Sequence, residues 1–181
     1  ELMHRKHGSL IKKYLGALEE LSIEEREEWH QVRLRMMRVC EKAAESNVGM
    51  LVDAEETWIQ DPVDALVMLM MDSFNKERVV IYNTVQHYRH DRLQFLKDCI
   101  DAGKERGFIL GVKLVRGAYM EKERKRAEEK GYPSPIQPDK ASSDRDFDAG
   151  VALCIENLEK VSLLVASHNE HSNMLAVDKL R

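Results

Sequence analysis

Cysteine is scarce in this chain and gives no motif: Cys40, Cys99 and Cys154 are the three present, and no two form a CxxC pair. An odd set without that spacing argues against a disulfide framework or a zinc ribbon. Each thiol falls on the apolar side of a helical pattern, which reads as a buried free thiol in a reducing compartment. Long apolar runs are missing too. The longest, Ala65 to Met71, is far short of the roughly 18 residues a spanning helix needs. Neither charge sign dominates: 28 Lys and Arg against 32 Asp and Glu leave a net charge of −4, which provides no footprint for nucleic acid or an anionic membrane. No GxGxxG, Walker loop or Ser-nucleophile signature occurs, which weighs against dinucleotide-binding, nucleotide-triphosphatase and hydrolase classes. The Lys- and Arg-rich stretch from Glu121 to Lys130 carries nearly as many acids as bases, the pattern of a solvated helix face.

What is present is enough for a core. With 181 residues, 43% of them hydrophobic, the chain makes one domain or a sizeable piece of a larger one. It opens with Glu1 rather than Met, so its N-terminus is read as non-native and a preceding targeting sequence stays open. Residues Glu1 to Gly8 are expected to be mobile, and Leu10 to Leu18 to form a weak helix. Ser22-x-x-Glu25 is a capping-box signature, followed by an apolar stripe of Trp29, Val32, Met36, Val39, Cys40 and Ala43, with Asn47 and Gly49 as its stop.

From Gly49 a repeated plan begins. Short apolar runs start near positions 50, 79, 108 and 162, and helical patterns separate them. Asp61-Pro62 is expected to start the first of these helices. Its face is Val63, Leu66, Val67, Met70 and Phe74. Val79 to Tyr82 is the second run, ending in Asn83-Thr84 with Gln86 just beyond. Leu93, Leu96, Cys99 and Ile100 line the next helix, expected to close at Gly103. Phe108 to Val115 is the third strand and Met120 to Lys130 the third helix, stopped by Gly131. A loop holding Pro133, Pro135 and Pro138 precedes a helix with Phe147, Val151, Cys154, Ile155 and Leu158 on one side. Leu163 to Ala166 is the fourth strand. Apolar runs with little alternation, separated by amphipathic helices, predict an α/β fold with a parallel sheet covered by helices.

Polar residues gather where each strand ends, and the carboxyl edge is where parallel α/β folds bind ligands. Asp53 and Glu55, two apart, suit metal binding or acid–base work; for Asp53 a hydrogen bond to a neighbouring strand or basic residue is the alternative. Gln86 donates and accepts at once, which suits a ring bearing carbonyl and N–H groups, or equally a turn cap. Lys113 and Arg116 flank the Gly117-Ala118 turn, where free amides at a helix start suit a large anionic ligand. Ser167 and His168 end the fourth run, and His168 suits a positioning hydrogen bond better than a catalytic base. His168 and His171 lack a third ligand for zinc.

Four stretches in order, Leu51-Val-Asp-Ala-Glu55, Tyr82-Asn-Thr-Val-Gln86, Lys113-Leu-Val-Arg-Gly-Ala-Tyr119 and Ala166-Ser-His-Asn-Glu170, resemble the flavin-dependent proline dehydrogenase family. The loop from Tyr132 to Pro138 is similar to that of the animal enzymes. The resemblance implies a distorted (β/α)₈ barrel holding FAD. It implies oxidation of L-proline to 1-pyrroline-5-carboxylate, or of hydroxyproline in a sister group, with electrons passed to quinone on the matrix side of the mitochondrial inner membrane. It further implies Asp53 and Lys113 as catalytic groups, with Asp53 organising the site and Lys113 near the flavin's reactive edge. Gln86 would contact the ring, Arg116, Gly117 and Ala118 the ribityl–pyrophosphate portion, and Ser167 and His168 would also touch FAD; no metal is implied. The family continues with further strands and a final helix whose arginine pair clamps the proline carboxylate, and carries a lysine on an earlier strand. None of these is in this sequence, so a fragment or shortened form is expected. It would comprise a helical segment at 1–46 and a partial barrel of about four βα units at 47–181, the FAD-binding half. Its open sheet edges are expected to favour self-association. A non-catalytic barrel fragment and a metal-dependent aldolase-type barrel using Asp53, Glu55 and His168 are the competing readings.

Overall fold

The computed structural model describes residues 16–181. The expected mobile run and most of the expected first helix lie outside the described residues; residues 16–20 are helical. Helix α1 (Ile23–Glu45) then starts at the anticipated capping box. Glu25 N–H donates to Ser22 Oγ at 3.2 Å, and Ser22 N–H donates to the Glu25 carboxylate at 2.8 Å. These two bonds satisfy amides that a helix start leaves open. Cys40 is fully buried, and Trp29, Val32, Met36 and Ala43 pack around the same core. Val39 is an exception to the expected stripe, being 54% exposed.

Four βα units follow in chain order. They are β1 (Met50–Leu51) with α2 (Thr57–Phe74), β2 (Ile81–Gln86) with α3 (Arg92–Arg106), β3 (Leu110–Val115) with α4 (Met120–Lys130) and α5 (Lys140–Ile155), and β4 (Val161–Val165) with α6 (Glu170–Leu180). The strands lie in the order β1-β2-β3-β4, every neighbouring pair parallel. Sequential parallel order is the pattern of a barrel wall, in which each strand is laid beside the last by a helical crossover. The main core lies where the helices cover one face of this sheet. Val80, Ile81, Leu110, Val112 and Leu114 meet Val67, Met71, Leu96, Phe147 and Val151 there. On the opposite face Tyr82 Oη and Ser162 Oγ lie 2.9 Å apart, spanning β3.

Several boundaries differ from expectation, and two of them, the start of α2 and the end of β2, are set by partners remote in sequence. Helix α2 starts at Thr57, so Pro62 stands inside it, on the second turn. The start is supplied by Glu123 of α4, whose carboxylate accepts Thr57 N–H at 2.5 Å and Thr57 Oγ1 at 2.7 Å. Strand β2 runs through Asn83 and Thr84 to Gln86. Its polar side chains are satisfied: Asn83 Nδ2 donates to Asp64 and Thr84 Oγ1 to Val52 O, both at 2.8 Å, which removes the cost of burying them. Helix α3 passes through Gly103 and ends at left-handed Gly107. Leu158 lies beyond the end of α5 and is 47% exposed.

Gly111 shows how tightly the central strands are set. A Cβ there would collide with the Ile81 carbonyl and come within 2.7 Å of Val79 Cγ1. Backbone cannot yield as a flexible side chain does, so overpacking of this kind costs about 1–3 kcal/mol. Gly111→Ala is expected to lower the thermal midpoint by several degrees, followed by circular dichroism. An unchanged midpoint would mean that β2 and β3 are less closely set than described.

Candidate functional site

The carboxyl ends of the four strands surround a cleft of 630 Å³, lined by residues 53–55, Thr84, Gln86, Lys113, 115–119, Lys140 and 166–169. All eight residues singled out from sequence, Asp53, Gln86, Lys113, Arg116, Gly117, Ala118, Ser167 and His168, are on that lining. The placement follows from the parallel register. Gln86 pairs with Val115 and Thr84 with Lys113, so the ends of β2 and β3 stand level.

Asp53 lies in the loop after β1, and its carboxylate pairs with the Lys113 ammonium. The ammonium side chain is mostly covered while the carboxylate is largely exposed. The basic-residue partner anticipated for Asp53 is therefore the other functional candidate, and the two act as one charge pair. Glu55, two residues on, accepts a hydrogen bond from Tyr119 Oη at 2.7 Å. That carboxylate raises the tyrosine's pKa, with burial adding to the effect. Glu56 is held below the ordinary range by its hydrogen bond to Lys122, at 2.5 Å.

Gln86 is almost completely buried. Its Nε2 donates to Glu55 O at 3.2 Å, and its Oε1 has no hydrogen-bond partner among the described residues. Buried acceptors are normally satisfied, and this oxygen belongs to a residue on the cleft lining, where a donor could reach it. Next in sequence, His87 is fully buried with both ring nitrogens unpartnered, edge-on to Phe147 with ring centroids 6.0 Å apart. Burial, reinforced by the positive fields of Arg92 and Arg116, lowers its pKa to about 4.

Arg116 is more occupied than a free anion-binding cation. Nε donates to Asp144 at 2.6 Å, Nη1 to Ser167 Oγ at 2.8 Å and Nη2 to Ser172 Oγ at 2.9 Å, with the guanidinium carbon 4.3 Å from the Phe147 ring centroid. Burial alone would raise Asp144, but Lys140 and Arg116 together bring it below its usual range. Ser167 Oγ also accepts Asn169 N–H at 3.0 Å, and Asn169 in turn caps α6. Arg116 therefore fastens the β4–α6 turn that presents Ser167 and His168. Gly117 adopts φ +136, and a Cβ there would run into the Tyr88 ring. The close approach anticipated at this glycine is thus partly to the chain's own aromatic. Tyr119 makes no side-chain cap for α4, so the turn and first-turn amides beside the cleft have no such competitor.

His168 is exposed at the rim, whereas His171 Nε2 lies 3.8 Å from Asp148 on α5. No group of three or more His, Cys, Asp or Glu residues able to hold a metal is present among the described residues. Sequence reasoning passed over Tyr88, and it passed over the buried Gln60, Asp64 and Arg92 beneath the cleft. A buried acid on an apolar helix face, as at Asp64, was the available signal.

A half-barrel of parallel βα units with a polar cleft at its carboxyl edge defines the class. The proline dehydrogenase family model matches residues 3–181, so the chain belongs to the proline dehydrogenase family. Hydroxyproline dehydrogenase of Xenopus laevis is 39% identical over 150 residues, covering 81% of this chain and 32% of that protein. Mitochondrial proline dehydrogenase 1 of Caenorhabditis elegans is 34% identical over 186 residues, covering 100% of this chain and 30% of its own length. The human protein named proline dehydrogenase 1, mitochondrial, is 34% identical over 97% of this chain and 30% of its own. The chain thus spans about a third of the length of these curated relatives. A crystal structure of proline utilization A from Bdellovibrio bacteriovorus superposes with a TM-score of 0.79 at 23% identity, over 83% of this chain and 16% of that one. This likeness confirms the fold: four βα units of a (β/α)₈ barrel, preceded by a helical segment.

The buried imidazole generates a pH prediction. The unfolded chain protonates His87 at its ordinary value while the folded chain resists until about pH 4. Between the two values the unfolded state binds more protons, so His87's contribution is complete above the unfolded pKa and is lost as pH falls to about 4. His87→Leu is expected to flatten that part of the stability–pH curve in urea titrations, removing roughly 3 kcal/mol of the dependence. A curve as steep as that of the unsubstituted chain would show that the imidazole is not held neutral.

Proposed function

We propose that this chain is the flavin-binding half of a proline dehydrogenase barrel, holding FAD for the oxidation of L-proline to 1-pyrroline-5-carboxylate, with hydroxyproline as the alternative substrate. In this reading residues 47–181 are the half-barrel, and residues 1–46 are the segment ahead of it, helical over most of its described part from residue 16. The observation that carries the reading is the unpartnered, buried Gln86 Oε1 in a cleft that also gathers a cation, a carboxylate and an uncapped turn. An acceptor, a cation and free amides suit a ring with an N–H, an electron-rich edge and a phosphate-bearing tail.

Gln86 takes the ring, Lys113 places its ammonium near the ring's reactive edge, and Asp53 holds that ammonium in line. Gly117, Ala118 and Arg116 face the ribityl–pyrophosphate portion, and Ser167 and His168 complete the rim. When bound, FAD supplies the two-electron acceptor for hydride removal from the substrate. The protein's part is to orient the ring, to stabilise negative charge with Lys113 and to exclude water. Quinone is the class of onward acceptor. A mitochondrial location, on the matrix side of the inner membrane, is proposed from relatives named as mitochondrial.

The test is flavin titration of residues 1–181, followed by absorbance and by quenching of flavin fluorescence, with proline-dependent dye reduction as the activity readout. FAD is expected to bind, and Gln86→Leu to weaken it about tenfold through loss of one hydrogen bond in a buried site. Lys113→Met is expected to slow reduction more than it weakens binding. Absence of any flavin affinity would rule the reading out.

A second reading, self-association of a non-catalytic fragment, has one observation in its favour. Leu51 on β1 and Leu164 on β4 are 46% and 38% exposed, on the two strands that end the sheet. Light scattering is expected to show a dimer or higher species. A monomer at every accessible concentration would remove this alternative.

A further inference from the structure

Gln86 does not choose its own orientation. Its Nε2 is drawn to the Glu55 carbonyl, and Glu55 N–H donates to Gln60 Oε1 at 2.7 Å. Gln60 is turned that way because its Nε2 donates to Asp64 Oδ1 at 2.8 Å. Asp64 is fully buried and receives Arg92 Nη1 at 2.7 Å and Asn83 Nδ2 at 2.8 Å. Every link has one chemically allowed direction. A carboxylate accepts only, so the Gln60 amide must present nitrogen to Asp64 and oxygen to Glu55. Held through its N–H by Gln60, the Glu55 backbone presents the carbonyl of its following peptide to Gln86, whose nitrogen is used and whose oxygen is left over.

We propose that Gln60 and Asp64, neither of which lines the cleft, are positioning residues that fix the Gln86 amide, through the Glu55 backbone, with its oxygen as the free end. The relay makes the cleft selective for a ligand with an N–H donor at that point, and it rests on the flavin reading only for the ligand's identity. The oxidised isoalloxazine ring has one N–H, at N3, and that group satisfies the requirement. Exposed side chains reorient freely. Here Arg92, Asp64, Gln60 and Gln86 are all buried and the two bonds of the Glu55 backbone are part-buried, so reversing one amide leaves unpaired groups at both of its ends.

The experiment compares FAD with N3-methyl FAD, which lacks the donor, on residues 1–181. The unsubstituted chain is expected to bind the methylated analogue at least about tenfold more weakly. Gln60→Met keeps length and bulk but breaks both links, and the preference is expected to collapse towards unity. Gln60→Glu is the second variant. Its carboxylate beside Asp64 abolishes the preference at about pH 8. At about pH 5.5 a proton shared between the two acids restores a donor towards Asp64, and with it the preference. A role in folding alone predicts no such acid rescue. Variants that keep full discrimination at both pH values would overturn the relay. A ligand-free readout separates this from the cofactor reading: the Gln86 side-chain amide protons should exchange slowly in nitrogen–proton spectra and rapidly in Gln60→Met. Rapid exchange in the unsubstituted chain overturns the relay whatever FAD does. Slow exchange without flavin binding upholds the relay and sinks the flavin assignment.

Discussion

The Asp64 carboxylate, fully buried where α2, β2 and α3 meet, is the constraint on which the rest of the structure depends. Burial pushes its carboxyl pKa upward, against the pull of Arg92, Asn83 and Gln60. A buried charge is tolerable when all its hydrogen bonds are made, and removing one partner is strongly destabilising. Here each partner sits on a different element or a different turn, so satisfying one carboxylate fixes three elements at once. Arg92 carries the constraint onward. Its Nε and Nη2 donate to Asp91 at 3.1 and 2.8 Å, and Arg89 donates to the same carboxylate. Burial opposes ionisation of Asp91, yet the two guanidiniums hold its pKa well below the usual carboxylate range. The turn after β2 is thereby clamped just beyond Gln86.

Above this base, the stretch from the loop after β1 to the start of α2 is joined to β3 and the segment after it by four pairings: Asp53 with Lys113, Glu55 with Tyr119, Glu56 with Lys122, and Thr57 with Glu123. They are not of equal weight. Lys122 is 69% exposed, and such surface pairs contribute little to stability. Glu123 is 1% exposed, so its two bonds to Thr57 cannot be replaced by water. The outer pairings set local charge, while the inner one sets geometry. Because β2 lies between β1 and β3, these links bridge from one side of it to the other. Gln86 and Thr84 supply the cleft lining between them.

Much of this arrangement was legible along the chain because it is local. The helical periodicity, the capping box at Ser22 and the polar residues closing each apolar run needed only neighbours to be interpreted. The eight residues marked for the cleft are brought together because parallel strands put equivalent ends on one edge. What escaped was set by partners tens of residues away. Asp61-Pro62 has the local chemistry of a helix start, but Glu123 supplies a better one at Thr57. Asn83 and Thr84 look like a strand's exit until Asp64 and the Val52 carbonyl accept their donors. Gly117 advertises close approach without saying to what, and Tyr88 is part of the answer. Arg116 reads as a free cation because Asp144, Ser167 and Ser172 come from later in the chain.

The Glu123–Thr57 contact also bears on the order in which the polypeptide organises itself. Its two residues are 66 positions apart, so the first turn of α2 cannot acquire its terminal acceptor until β2, α3 and β3 have been laid down. Closing so large a loop precedes any reward from the contact. The body of α2 is therefore free to form early against β2, whereas its opening turn matures with α4. The mouth of the cleft is accordingly among the last regions to settle.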